Sequence, residues 1–64
     1  MIELELAKDA LGAKNIAVLD GLAKKIKATQ PATQAKIKTL IENFTISNDL
    51  ATRYIGIYLS SVLG

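Results

Sequence analysis

Apolar residues recur at intervals of three and four along most of the chain, which is the period of an amphipathic α-helix. Near the start, Leu4, Ala7 and Leu11 carry this repeat. The period returns in three later stretches, so the pattern predicts four short helices, at about residues 3–11, 15–28, 31–44 and 48–63. We therefore expect an all-α bundle that forms a single domain over residues 1–64, with the last three helices in the core and the first packed across it.

Glycine and asparagine set the limits of the first two predicted helices. Gly12 can adopt the left-handed conformation that closes a helix, and Asn15 is a plausible N-cap for the second helix. The Asp20-Gly21 pair is typical of a turn and offers an alternative break within the second helix. A three-helix bundle, with the first helix merged or frayed, is the alternative architecture.

The limits of the last two helices follow from proline and from capping residues. Pro31 suits the first turn of a helix and disfavours helix in the residue before it, so the third helix should begin near residue 31. Ser47 or Asn48 should cap the fourth helix, and Asp49 is favourably placed at its positive end.

The last two helices differ in the width of their apolar faces. The third has one inward stripe, made of Ala35, Ile37, Leu40, Ile41 and Phe44. The fourth is apolar nearly all round, and only Asp49 and Arg53 are charged within it. A helix of this kind lies either at the centre of a bundle or at an interface with another molecule.

The composition excludes most enzyme chemistry. The chain of 64 residues has no Cys, no His and no Trp, so it has no disulfide framework, no Cys/His zinc cluster and no thiol nucleophile. Glu3 and Glu5 lie two residues apart and would point in different directions on a helix, so they cannot share a proton or a metal ion. We expect a protein that is not an enzyme, with no catalytic, cofactor-binding or metal-binding residues.

Positive charge is concentrated in the middle of the chain, although the net charge is only +2. Residues 24–38 contain five lysines and no acid, which are Lys24, Lys25, Lys27, Lys36 and Lys38. Such a basic patch is most simply a solvated face that keeps the protein soluble. It could also bind an acidic partner, such as nucleic acid, an anionic membrane or an acidic protein.

The segment from Leu22 to Gln34 resembles the core of helix-turn-helix DNA-binding proteins, with a Leu-Ala pair, a later aliphatic and a Thr-Gln-Pro-Ala-Thr sequence. The resemblance covers about a fifth of the chain and departs from the family where Lys27 replaces the usual turn glycine. It implies that some residues face the DNA groove, namely Gln30, Thr33, Gln34 and Lys38. It also implies that others contact phosphates, namely Lys24, Lys25, Lys27 and Lys36. A DNA-binding regulator is therefore the main alternative function.

Membrane action is a second alternative, because small basic helical bacteriocins have similar length and composition. The weak net charge and the absence of Trp argue against it. The chain opens without the basic and apolar pattern of a secretory signal, and its longest weakly charged stretch, residues 54–64, is too short to span a membrane. We expect a cytoplasmic location.

Small residues recur every four positions along the fourth helix, at Thr52, Gly56, Ser60 and Gly64. They could simply form the polar face of an amphipathic helix. Such a ridge lets another backbone approach closely. Together with Arg53 and Ile57 it forms our hypothetical self-association surface. The function that we favour is a small non-catalytic interaction or assembly module, a homo-oligomer that serves as a structural subunit or as a regulator of another protein.

Overall fold

A computed structural model describes residues 2–64, with side chains from residue 3 onward, and shows an all-helical fold. Helix α1 spans Ile2–Lys27, α2 spans Pro31–Thr45 and α3 spans Leu50–Leu63. The predicted all-α class is confirmed. The predicted count of four helices is wrong, and the three-helix alternative fits, because the helical backbone continues past residue 12.

Gly12 makes a sharp kink inside α1. Its φ of 83° and ψ of 160° lie in a region that is open almost only to glycine. Positive φ was expected here, but the ψ angle is extended and not that of a left-handed helix. The predicted N-cap role of Asn15 is also wrong, since its side-chain Nδ2 donates to the carbonyl of Leu11 across the kink, at 2.6 Å.

The kink reverses the course of the chain along α3. Before it, Leu4 lies beside Ile57, Ser60 and Ser61, and Leu11 lies beside Ala51 and Ile55. After it, the helix runs back along α3, and Asp20 reaches Tyr58. We call the two parts segment 2–11 and segment 13–27. The second part is unbroken, so the alternative break at Asp20-Gly21 is not present.

Helix α3 is the centre of the bundle. Both α1 and α2 pack extensively against α3 and only slightly against each other. The buried cluster draws on all three helices and contains Leu19, Ala23, Ile26, Ile41, Tyr58 and Leu59. The wide apolar arc of the last helix is explained by this position, since partners cover it from several sides.

Local capping differs in detail from the prediction. Pro31 begins α2 as expected. The N-cap of α3 is Asp49 and neither Ser47 nor Asn48, because the Asp49 carboxylate accepts hydrogen bonds from the backbone nitrogen of Thr52 at 3.0 Å and from its hydroxyl at 2.7 Å. Two acceptor contacts on one carboxylate make aspartate a better cap here than the shorter hydroxyl of serine.

The predicted inward stripe of α2 is only partly correct. Ile41 is buried and Ile37 is half-buried, but Ala35, Leu40 and Phe44 are exposed. The physical reason is that α2 packs on a single helix. With almost no contact to α1, its second apolar flank remains in solvent.

Candidate protein-interaction surface

A groove runs between segment 2–11 and the end of α2, and α3 forms its floor. It consists of two adjoining cavities of about 340 and 350 Å³, which share Glu3, Thr45 and Ile57 as lining residues. We call it the α1/α2 groove. It exists because α1 and α2 both pack on α3 without closing on each other.

The rim of the α1/α2 groove carries two exposed apolar side chains. Leu6 on α1 is 51% exposed, and Ile46, just after α2, is 77% exposed. The turn that carries Ile46 is held in place, because Arg53 Nε donates to the Ser47 carbonyl at 2.9 Å. Exposed apolar side chains that are held in an ordered position beside one groove are a candidate surface for binding protein.

The five predicted self-association residues are distributed between three environments. Arg53, Ile57 and Ser60 line the α1/α2 groove. Thr52 bonds to the capping carboxylate of Asp49. Gly56 is buried, so the structure brings only part of the predicted set to one surface.

Gly56 is the point of closest approach between α2 and α3. A Cβ atom built at this position would lie 2.7 Å from the Cβ of Phe44 and 2.8 Å from the backbone nitrogen of Thr45. The small-residue ridge therefore does allow a backbone to approach closely, and the backbone at Gly56 is that of the chain's own α2. A second copy has no access to Gly56 in this fold.

The five lysines of the basic patch are all exposed, at the end of α1 and along α2. The α1–α2 connection between them is ordered by Gln34, whose side-chain nitrogen donates to the carbonyls of Lys27 and Thr29, at 3.1 and 2.9 Å. Gln34 was a candidate for contact with DNA bases, and here it donates instead to one carbonyl at the end of α1 and to one in the connection. The slight contact between α1 and α2 also differs from a helix-turn-helix, in which the two helices form one packed unit.

A second groove lies between α1 near its kink and the start of α3. It has a volume of about 290 Å³ and is lined mainly by apolar side chains, including Leu11, Val18, Ala51 and Ile55. Val18 is 69% exposed at its edge. Val18 is therefore an exposed apolar side chain at a groove separate from the one that Ile46 lines.

One polar tie joins α1 to α3. The hydroxyl of Tyr58 donates to the carboxylate of Asp20, and the ring of Tyr58 is buried. This hydrogen bond, with burial and the nearby negative charge, raises the pKa of Tyr58 above its ordinary value of 10.0. The bond fixes the position of segment 13–27 on α3, and it lies away from the α1/α2 groove.

Sequence patterns missed Leu6 and Ile46 as surface residues. Leu6 alternates with glutamates and has no place in the predicted helical repeat, and Ile46 lies in a connection where no period applies. The available signal was that Leu6 falls outside the repeat of Leu4, Ala7 and Leu11, and that Ile46 follows the end of the third predicted helix. Within residues 2–64, no group of three acidic, histidine or cysteine side chains is arranged to hold a metal ion.

Among the helices of residues 2–64, none combines the length and apolar character needed to cross a membrane. Comparisons of the chain with protein-family models, with characterised proteins and with solved structures find no match.

Proposed function

We propose that this protein is a small non-catalytic helical module that acts by binding protein, and that it binds a second copy of itself through the α1/α2 groove. The observation that carries the proposal is its surplus of apolar surface. Seven large apolar side chains are at least 38% exposed, which are Leu6, Val18, Leu22, Leu40, Phe44, Ile46 and Leu50. Isolated exposed apolar residues are ordinary, but two of these seven, Leu6 and Ile46, line the same cavity, and adjoining exposed apolar side chains mark a binding surface.

The total surface area supports the same proposal. The chain exposes 4549 Å². A compact monomer of its mass is expected to expose about 4000 Å², so the surplus is roughly 550 Å². A stable interface of ordinary size covers about 800 Å² on each partner. The surplus of roughly 550 Å² is smaller than the area that each partner buries in an interface of ordinary size, about 800 Å². An ordinary interface that covers the α1/α2 groove and its rim would therefore bury at least as much area as the surplus.

A second copy suits this groove because the groove is self-complementary in charge. One acid, Glu3, and one base, Arg53, line it. In a two-fold dimer every contact between two different residues occurs twice, once in each direction. Glu3 of each copy can therefore lie against Arg53 of the other. Leu6 and Ile46 supply the apolar contact between these charges.

The proposal is tested by following the backbone amide resonances of the chain as it is diluted. We expect concentration-dependent shifts at the groove residues and not around Val18. Ile46→Ser should reduce these shifts strongly, and the matched control Val18→Ser, which removes a similarly exposed apolar side chain from the second groove, should leave them unchanged. Spectra that do not change with concentration would contradict the proposal, as would equal effects of the two substitutions.

The basic patch favours a second candidate function, which is binding to nucleic acid. Its five lysines are exposed, and the sequence has no acid between Asp20 and Glu42. If phosphates are the ligand, the affinity for a fluorescent DNA duplex should fall with salt, with a log–log slope of about 0.9 per phosphate contact. A triple Lys24/Lys25/Lys27→Ala variant should then lose binding, and an unchanged affinity would refute this candidate.

A further inference from the structure

Segment 2–11 is joined to the rest of the molecule through a single non-helical residue. The backbone is helical on both sides of Gly12, and only its φ of 83° and ψ of 160° interrupt α1. Nothing lies within 4 Å of the position that a Cβ would take there. A change in the two dihedral angles of one residue would therefore convert the kinked α1 into a straight helix.

A straight α1 could not keep segment 2–11 on its own α3. A continuous helix of 26 residues is about 39 Å long. The longest extent of the molecule is 31 Å. Segment 2–11 would project past the end of the bundle, and the face of α3 that it covers would be open.

The contact that would be lost is mainly apolar. Ala7 is fully buried in it, and Leu4 and Leu11 pack against the core from the same segment. An identical segment from a second copy fits the vacated face with the same contacts, because the interface is the one already made within the chain. Exchange of this kind changes only the hinge conformation and the number of chains.

We propose that two copies of this chain exchange segment 2–11, with Gly12 as the hinge and the face of α3 around Ile57 and Ser60 as the docking surface. This inference rests on the proposed self-association and adds a second contact to it. Segment 2–11 carries Glu3 and Leu6, so in the exchanged dimer each α1/α2 groove is lined by residues of both chains. The side-chain bond from Asn15 to the Leu11 carbonyl lies across the hinge and holds the kinked, unexchanged form.

The hinge is tested by substitutions that favour a straight helix. Alanine is strained at a φ of 83° and is the best helix former, so Gly12→Ala should increase the dimer association constant about tenfold or more. Asn15→Ala, which removes the side-chain bond across the kink, should act in the same direction and perturbs the fold less. Gly21→Ala is the matched control, since Gly21 is already helical and has open space around it, and it should leave association unchanged.

The exchange itself is tested by cross-linking between introduced cysteines. The chain has no cysteine of its own, so the reagent reacts with no native thiol. Glu3 and Ser61 are exposed and line the same cavity, so a Glu3→Cys/Ser61→Cys variant places both thiols within reach of a short bismaleimide. In an isolated exchanged dimer the reagent should link the two chains covalently. In a dimer that associates side by side it should link each chain to itself.

Three outcomes separate the two proposals. A dimer cross-linked between chains, and strengthened by Gly12→Ala or Asn15→Ala, supports the exchange. A dimer of the Glu3→Cys/Ser61→Cys chain with links only within each chain supports the proposed function and overturns the exchange. If Gly12→Ala and Asn15→Ala stay monomeric, or if the Glu3→Cys/Ser61→Cys chain refolded at high concentration yields only internally linked chains, the exchange is overturned whatever the fate of the wild-type dimer.

Discussion

The close crossing of α2 and α3 predicts opposite effects for the same substitution at two helical glycines. Gly21 lies in α1 with no atom within 4 Å of its missing Cβ, and Gly56 lies in α3 with three atoms closer than 3.0 Å. Gly21→Ala should raise the free energy of unfolding by about 1 kcal/mol, the difference in helix propensity between the two residues. Gly56→Ala gains the same propensity and must also displace α2.

The cost at Gly56 can be estimated from the atoms involved. Two of the three are backbone atoms, the Phe44 carbonyl carbon at 2.9 Å and the Thr45 nitrogen at 2.8 Å, so no side-chain rotation relieves the overlap. Overpacking of this kind costs about 1–3 kcal/mol, and the two alanine variants should therefore differ in stability by roughly that amount. In a domain of this size, 1 kcal/mol corresponds to a change in Tm of about 4–8 °C.

The assay is thermal and urea unfolding of both variants, followed by circular dichroism at one protein concentration. We expect Tm to rise for Gly21→Ala and to fall for Gly56→Ala. Equal stabilisation by both substitutions would mean that α2 does not lie against Gly56. The small residues of α3 would then be exposed on the surface of the molecule.

Two further predictions concern titration. The hydrogen bonds from Thr52 hold the pKa of Asp49 below its ordinary value of 3.8, so the stability from this cap is present above that value and is lost as the pH falls through the folded-state pKa. Asp49→Asn keeps a capping oxygen and should remove this acid dependence, whereas Asp49→Ala removes the cap and should lower stability at neutral pH. Identical acid unfolding of Asp49→Asn and wild type would contradict the assignment. The pKa of Tyr58 is raised, so its contribution is present below pH 10.0 and is lost as the pH rises through the folded-state value. In a Tyr54→Phe chain, where Tyr58 is the last tyrosine, the midpoint of the phenolate absorbance should therefore lie above pH 10.0. Asp20→Asn should move this midpoint downward, and a midpoint that is insensitive to Asp20 would refute the tie between α1 and α3.

The sequence predicted the backbone well at positions where a single proline or glycine determines the local conformation. Pro31 fixes the start of α2 because its φ angle and missing N–H suit only the first turn. Gly12 was expected to have positive φ and does. The sequence could not show that the helix resumes directly after Gly12. Only this one residue is non-helical, so no separate turn motif marks the kink.

Tertiary arrangement was less predictable from the sequence. The apolar arc of α3 indicated either a central helix or an interface, and the choice depends on where α1 folds back, which no local pattern records. Leu40 and Phe44 have the spacing of core residues but are exposed, because α2 meets one neighbour and not two. The ridge at Gly56 predicted a close helix crossing, and only the fold shows that α2 of the same chain makes it.

The most direct test of self-association is the mass of the wild-type chain in native buffer, measured by sedimentation equilibrium over a wide range of concentration after nuclease treatment. We predict a reversible increase from the 6.9 kDa monomer to twice that mass as the concentration rises. A chain that stays at 6.9 kDa at the highest concentration would contradict it, and its exposed apolar residues would then have no partner among copies of itself.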